Sequence, residues 1–198
     1  MILPVIADWQ ILEVQPTKSG GKSAAIVGPK CEPVCITFPV LKSPFDASAY
    51  NDETASRVNL TLEVSDNEII EWFAALDTWV IQECSKNCRR LFGKDYISSS
   101  ELRPMYYSPL KSNEKYGTNL LKLKMNKTGK HSVRIWNKGG LPRESPECWA
   151  DLQIQVRVVL KSLWLQGNRS FGLSFECSDA MIVGEEPTKT CPFTIDEV

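Results

Sequence analysis

Histidine is nearly missing from this 198-residue chain, which has only His131. A Ser–His or Cys–His nucleophile would have to be built on that residue, and nothing marks a Ser or Cys as activated. No apolar run approaches the roughly 20 residues that span a bilayer. The opening MILPVIADWQ lacks the basic leader and apolar stretch of a secretion signal, which predicts an intracellular protein, cytoplasmic or nuclear. In that setting the seven cysteines (31, 35, 84, 88, 148, 177 and 191) read as reduced thiols, mostly small buried apolar groups. Cys84 and Cys88 fall on a predicted helix with both sulfurs facing the core, so no metal site is expected there or with Cys31 and Cys35. Gly21-Lys22-Ser23 has the end of a phosphate-binding loop, but Pro16 stands where the full motif needs glycine. No enzyme, cofactor or metal is expected, and no membrane partner.

Net charge is also small, −1 in total, yet unevenly spread. Between Arg103 and Arg143 ten Lys and Arg face one acid, Glu114, so that window carries +9 and the remainder −10. Segregation of this size points to a positive surface on an acidic body. The length predicts a single domain, 1–198, with a poorly readable start (1–56), a core (57–183) and a loose tail (184–198).

Alternation predicts strands at 10–15 and 34–40, separated by a flexible 16–23 and a proline-rich run. RVNLTLEV (57–64) alternates cleanly, with Val58, Leu60 and Leu62 on one side. Ser65-x-x-Glu68 has the form of a capping box, and apolar residues then recur at helical spacing through Ile69, Phe73, Leu76, Val80, Cys84 and Cys88. This predicts one long helix over about 66–92, ended by Gly93, with Trp72 and Trp79 packed against the core. An irregular loop (98–117) carries Tyr106, Tyr107 and Tyr116 among basic residues. Strands follow at 119–125 and 131–137, then two long ones at 149–165 and 171–183. Many short strands around one inserted helix predict a mainly β (α+β) fold, an antiparallel barrel of the oligonucleotide-binding (OB) type.

Residues 126–130, NKTGK, read as the loop of a hairpin with Gly129 in a left-handed position. Pairing then sets Lys122 opposite Arg134, and one face collects Leu120, Lys122, Lys124, Ser132, Arg134 and Trp136. Like charges directly opposed cost roughly 0.2–1 kcal/mol, and a polyanion would reverse that cost. The indole of Trp136 offers an unpaired base a stacking surface worth roughly 1–3 kcal/mol. The expected nucleic-acid contacts are therefore Lys111, Lys122, Lys124, Lys130 and Arg134 to phosphates, with Trp136, Tyr106 and Tyr107 stacking on bases.

Residues 57–183 also resemble the single-stranded-DNA-binding proteins of large DNA viruses and, more distantly, of phages. The likeness rests on the helix with its central Leu76-Asp77 and on Phe92-Gly93-Lys94, which ends it. Tyr107-Ser108-Pro109-Leu110-Lys111, Leu121-Lys122-Leu123-Lys124, Leu163-Trp164 and Phe171-Gly172-Leu173 complete the pattern. The resemblance implies an OB-type barrel that coats single-stranded DNA in replication or repair, as a homodimer and alongside replication proteins. RNA is the other nucleic acid such a surface could take, and a viral structural or protein-interaction module on the same barrel is the competing role. The phage members end in a strongly acidic tail with a terminal aromatic; CPFTIDEV here has only Asp196, Glu197 and an internal Phe193.

Overall fold

The structure, a computed structural model, describes residues 3–18, 20–49, 54–113, 117–167 and 170–184. Strands β1 (Gln10–Pro16) and β2 (Lys22–Val27) form an antiparallel hairpin, closed where Thr17 N–H donates to the Gly21 carbonyl at 2.8 Å. The sequence reading expected no strand at β2. Its Ala24-Ala25 centre has little strand propensity, and the pairing comes instead from β1 on one side and a distant strand on the other. β3 (Val34–Lys42) and β4 (Arg57–Val64) follow, the latter over the residues whose alternation predicted it.

Helix α1 (Asn67–Lys86) starts at Asp66 rather than Ser65: the Asp66 carboxylate accepts from Glu68 N–H at 2.8 Å. Its inward stripe buries Ile69, Phe73, Leu76, Val80 and Cys84. Phe73 stacks on Phe38 of β3 at 6.0 Å, and each such ring contributes roughly 1.5–3 kcal/mol by leaving water. The expected single helix breaks at Asn87, whose backbone (φ −108°, ψ 20°) leaves helical geometry, and resumes as α2 (Cys88–Phe92). Gly93, at φ 70°, ends it in the left-handed conformation that glycine adopts without steric cost. Trp72 and Trp79 pack edge-on against the buried Trp9, pinning the N-terminal segment to the helix.

The predicted irregular loop contains order: α3 (Ser99–Leu102), a 3-10 turn (Arg103–Met105), the dipeptide strand β5 (Tyr106–Tyr107) and β6 (Leu110–Asn113). Ser98 and Glu101 form a reciprocal capping box at α3. Tyr116, Lys115 and Glu114 lie outside the described residues, as do Cys191 and the tail from 185.

The expected 119–137 hairpin does not form. β7 (Thr118–Asn126) pairs antiparallel with β4 in eight consecutive steps, from Arg57 opposite Asn126 to Val64 opposite Asn119. That register sets Leu121, Leu123 and Met125 against Leu62, Leu60 and Val58, and leaves Lys122 opposite Thr61 and Lys124 opposite Asn59. β8 (Arg134–Asn137) instead runs parallel to the last strand, with Arg134 beside Asp179. The physical reason is charge: local pairing would oppose Lys122 and Arg134, whereas the distant strand offers a carboxylate.

β9 (Gln153–Gln166) and β10 (Ser170–Ile182) are long enough to serve two sheet halves. β9 pairs with β3 along its first half and β2 along its second; β10 takes β5, β7 and β8 in succession. Register shifts between Ser174 and Phe175, and between Cys177 and Asp179, bend the pair. The order β1-β2-β9-β10-β7-β4 makes an open, mixed, mainly β sheet with one long inserted helix. This is an OB-like fold; the short parallel pairs made by β5, β7 and β8 depart from the all-antiparallel barrel expected. Among the described residues no helix is long and apolar enough to cross a membrane.

Candidate nucleic-acid interface

Strand alternation sends Lys122 and Lys124 to the outer face of β7, while Leu121, Leu123 and Met125 are buried behind them. β6, pairing beside β7, adds Lys111, and β5 adds Tyr107, half exposed at 51%. Together with Asn59, Ser108, Pro109, Trp164, Leu173, Ser174 and Phe175 they line a groove of ≈ 340 Å³. Among the described residues no carboxylate lines it.

The groove's floor depends on one glycine. Gly172 of β10 lies opposite Trp164 of β9, and the indole rests directly over it. A Cβ at this position would meet Trp164 Cζ2 at 2.8 Å and the Tyr107 carbonyl oxygen at 2.6 Å. Absence of that Cβ lets the indole lie flat and lets β5 approach, an aromatic covering a sheet glycine. Tyr107 then sits 6.0 Å from Trp164, rings inclined by 45°, and Lys111 Nζ lies 5.6 Å from the Tyr107 centroid, in cation–π range.

Electrostatically the cations at the groove repel one another. Burial pushes the Lys124 ammonium below its ordinary pKa of 10.5, and the neighbouring Arg57 and Lys122 push it further down. Among the described residues neither Lys122 nor Lys124 makes an ion pair, although Glu176 is Lys124's backbone neighbour on β10.

The remaining predicted contacts lie elsewhere. Tyr106 points away from the groove: its hydroxyl donates to Asp77 of α1 at 2.7 Å, and burial followed by that carboxylate raises its pKa strongly. Asp77 is itself held above the usual carboxylate range by burial, against hydrogen bonds from Ser108 and Tyr106. The inner tyrosine thus anchors β5 to the helix while the outer one faces solvent. Arg134 is occupied: Nε and Nη2 reach the two Asp179 oxygens at 2.8 and 2.9 Å, and Trp136 Nε1 donates to the same carboxylate at 3.1 Å. Lys130 sits exposed in the turn after β7 and does not line the groove.

Trp164, which lines the groove, was not among the expected contacts. The signal was a tryptophan on the polar phase of a strand, obscured because the bulge at Lys161 flips the phase between buried Leu160 and buried Leu163. Cys84 and Cys177 are buried, which pushes their thiols up to about 12 and keeps them unreactive, while Cys31 and Cys35 are exposed. Among the described residues no three His, Cys, Asp or Glu side chains come together as a metal site.

No family model matches the chain, and no curated protein does. Among solved structures it is similar to gp2.5, a single-stranded DNA binding protein encoded by bacteriophage T7, at 12% identity and TM-score 0.54. That match covers 76% of this chain and 86% of the phage protein. At this identity the likeness establishes the fold and no more. The single-stranded DNA-binding protein of bacteriophage Enc34 matches at TM-score 0.47 and 12% identity (87% of this chain, 96% of that one). In complex with ssDNA it matches at TM-score 0.42 and 13% identity (90% and 98%).

Proposed function

We propose that this chain binds single-stranded DNA across the Lys111–Lys122–Lys124 groove, phosphates on the lysines and bases on Trp164 and Tyr107. The observation that carries this reading is a groove that brings three lysines together with Tyr107 and Trp164 and, among the described residues, has no lining carboxylate. Holding like charges together is unfavourable in isolation, and a polyanion turns the same arrangement into attraction. Stacking needs an exposed base face, which a duplex withholds, so the groove favours single strands. The fold shared with gp2.5, itself a single-stranded DNA binding protein, supports the reading.

The role is binding without chemistry on the strand, at an intracellular site of replication or repair. Membership among the single-strand binders of large DNA viruses, a homodimeric state and contact with replication proteins are further parts of the proposal, motivated by the motifs from Phe92-Gly93-Lys94 to Phe171-Gly172-Leu173. The test is an anisotropy titration with fluorescent oligo-dT, oligo-U and duplex across a salt series. The three lysine–phosphate contacts alone predict that log K falls with log salt at a slope of about −2 or steeper, at about −0.7 per contact. Tighter binding to duplex, or no single-strand binding at physiological salt, would overturn the proposal; preference for oligo-U would reassign the ligand to RNA.

A further inference from the structure

Glu176 stands on β10 just beyond the groove, its backbone in register with Lys124. Its carboxylate is only 13% exposed and takes two cations from opposite sides: Arg57 Nη2 of β4 at 3.3 Å and Lys161 Nζ of β9 at 3.5 Å. Both contacts are long and single-point, and the cations remain about half exposed, at 47% and 41%. Asp179, three residues along the same strand, is held quite differently, by a bidentate arginine, an indole N–H and the Ser178 hydroxyl. Arg57 and Lys161 each keep donors that Glu176 does not use, since a guanidinium has five N–H groups and an ammonium three.

These two cations extend the groove's line of charge. Arg57 is near enough to help lower the Lys124 pKa, so it belongs to the same electrostatic cluster. Lys161 is the bulged residue opposite Ser174 and Phe175, which line the groove. Lys161 also lines a depression over β1, β2 and β9, with Ser162, Ser23, Ala25 and the carboxylate Glu13.

We infer that Glu176 acts as an internal stand-in for a backbone phosphate: it holds Arg57 and Lys161 ready as further phosphate contacts and weakens the binding it helps to organise. The strand's path then runs from Lys111, Lys122 and Lys124 past Arg57 to Lys161. This rests on the reading of the groove as a single-strand site. A carboxylate among those cations repels the incoming phosphate, so the wild-type protein releases its strand more readily than the groove alone would.

The experiment is the oligo-dT salt titration on wild type, Glu176→Gln and the double variant Arg57→Ala/Lys161→Ala, each checked for folding by thermal melting. Glu176→Gln should tighten binding roughly threefold to tenfold, with a slope steeper by up to about 0.7 per cation released. The double variant should bind more weakly and with a shallower slope, its loss and the Glu176→Gln gain together coming to about 1.4. If wild type binds and Glu176→Gln matches it in affinity and slope, this inference falls while the groove assignment stands. Absence of binding by wild type overturns both. Should Glu176→Gln fail to fold, the double variant decides: an unchanged slope contradicts the inference.

Discussion

Two basic clusters lie on the same sheet and meet opposite fates. At the groove, Lys111, Lys122 and Lys124 have aromatic neighbours and, among the described residues, no lining carboxylate. At the end of β10, Arg134 and Trp136 converge on Asp179, which is 15% exposed and saturated with donors. The second cluster has the composition expected of a nucleic-acid site and is already neutralised from within; its role is to dock β8 onto β10. Cations beside an aromatic say little until the carboxylates of distant strands are placed. What separates the proposed binding surface from the structural one is that, among the described residues, Lys122 and Lys124 have no carboxylate partner.

The sharpest way to break the comparison is to reverse charge on each side. Lys122→Glu/Lys124→Glu should weaken oligo-dT binding by roughly two orders of magnitude and make the salt slope shallower by about 1.4. Arg134→Ala should leave affinity within about twofold, because its charge is already spent on Asp179. Equal losses from both would erase the distinction. Next in size, Trp164→Ala should cost roughly 1–3 kcal/mol of binding with the salt slope unchanged, separating stacking from phosphate contact. Trp136→Phe, measured in parallel, should leave binding intact.

Asp179→Asn should spare binding and lower the melting temperature by roughly 2–6 °C. Burial acts to raise the Asp179 pKa, but hydrogen bonds from Arg134, Trp136 and Ser178 outweigh it and hold the carboxyl below its ordinary value. A depressed carboxylate stabilises fully above its unfolded pKa and loses that contribution as pH falls through the folded one. The melting difference between wild type and Asp179→Asn should therefore close in acid. The smallest expected effect is alkaline. Because the folded Lys124 pKa is lowered, stability rises with pH between that value and 10.5, while affinity for the strand falls as the ammonium is lost. A pH series of binding should show proton uptake that disappears in Lys124→Gln.

Much of the fold was legible where side chains alternate over a run. β4 was read to the residue, and the outward lysines of β7 followed from the same period of two. Pairing was not legible, because nothing local says that 134–137 joins 179–182 rather than 119–125. The turn after β7 even keeps a hairpin-like hydrogen bond, from Val133 N–H to the Asn126 carbonyl at 2.9 Å, before the chain departs. Lys111 and Tyr107 reach Lys122 only through the short strands β5 and β6, which resemble loop in sequence. The inward turn of Tyr106 depends on Asp77, 29 residues earlier on α1, a partner that periodicity does not reveal.

The most direct test maps the strand itself. Oligo-dT carrying a photoactivatable 5-iodouracil is crosslinked to the wild-type protein at low salt, and the modified peptides are identified by mass spectrometry. Crosslinks at Trp164 or Tyr107 are the predicted result. Crosslinks concentrated at Trp136 would place the DNA on the neutralised cluster and contradict the account.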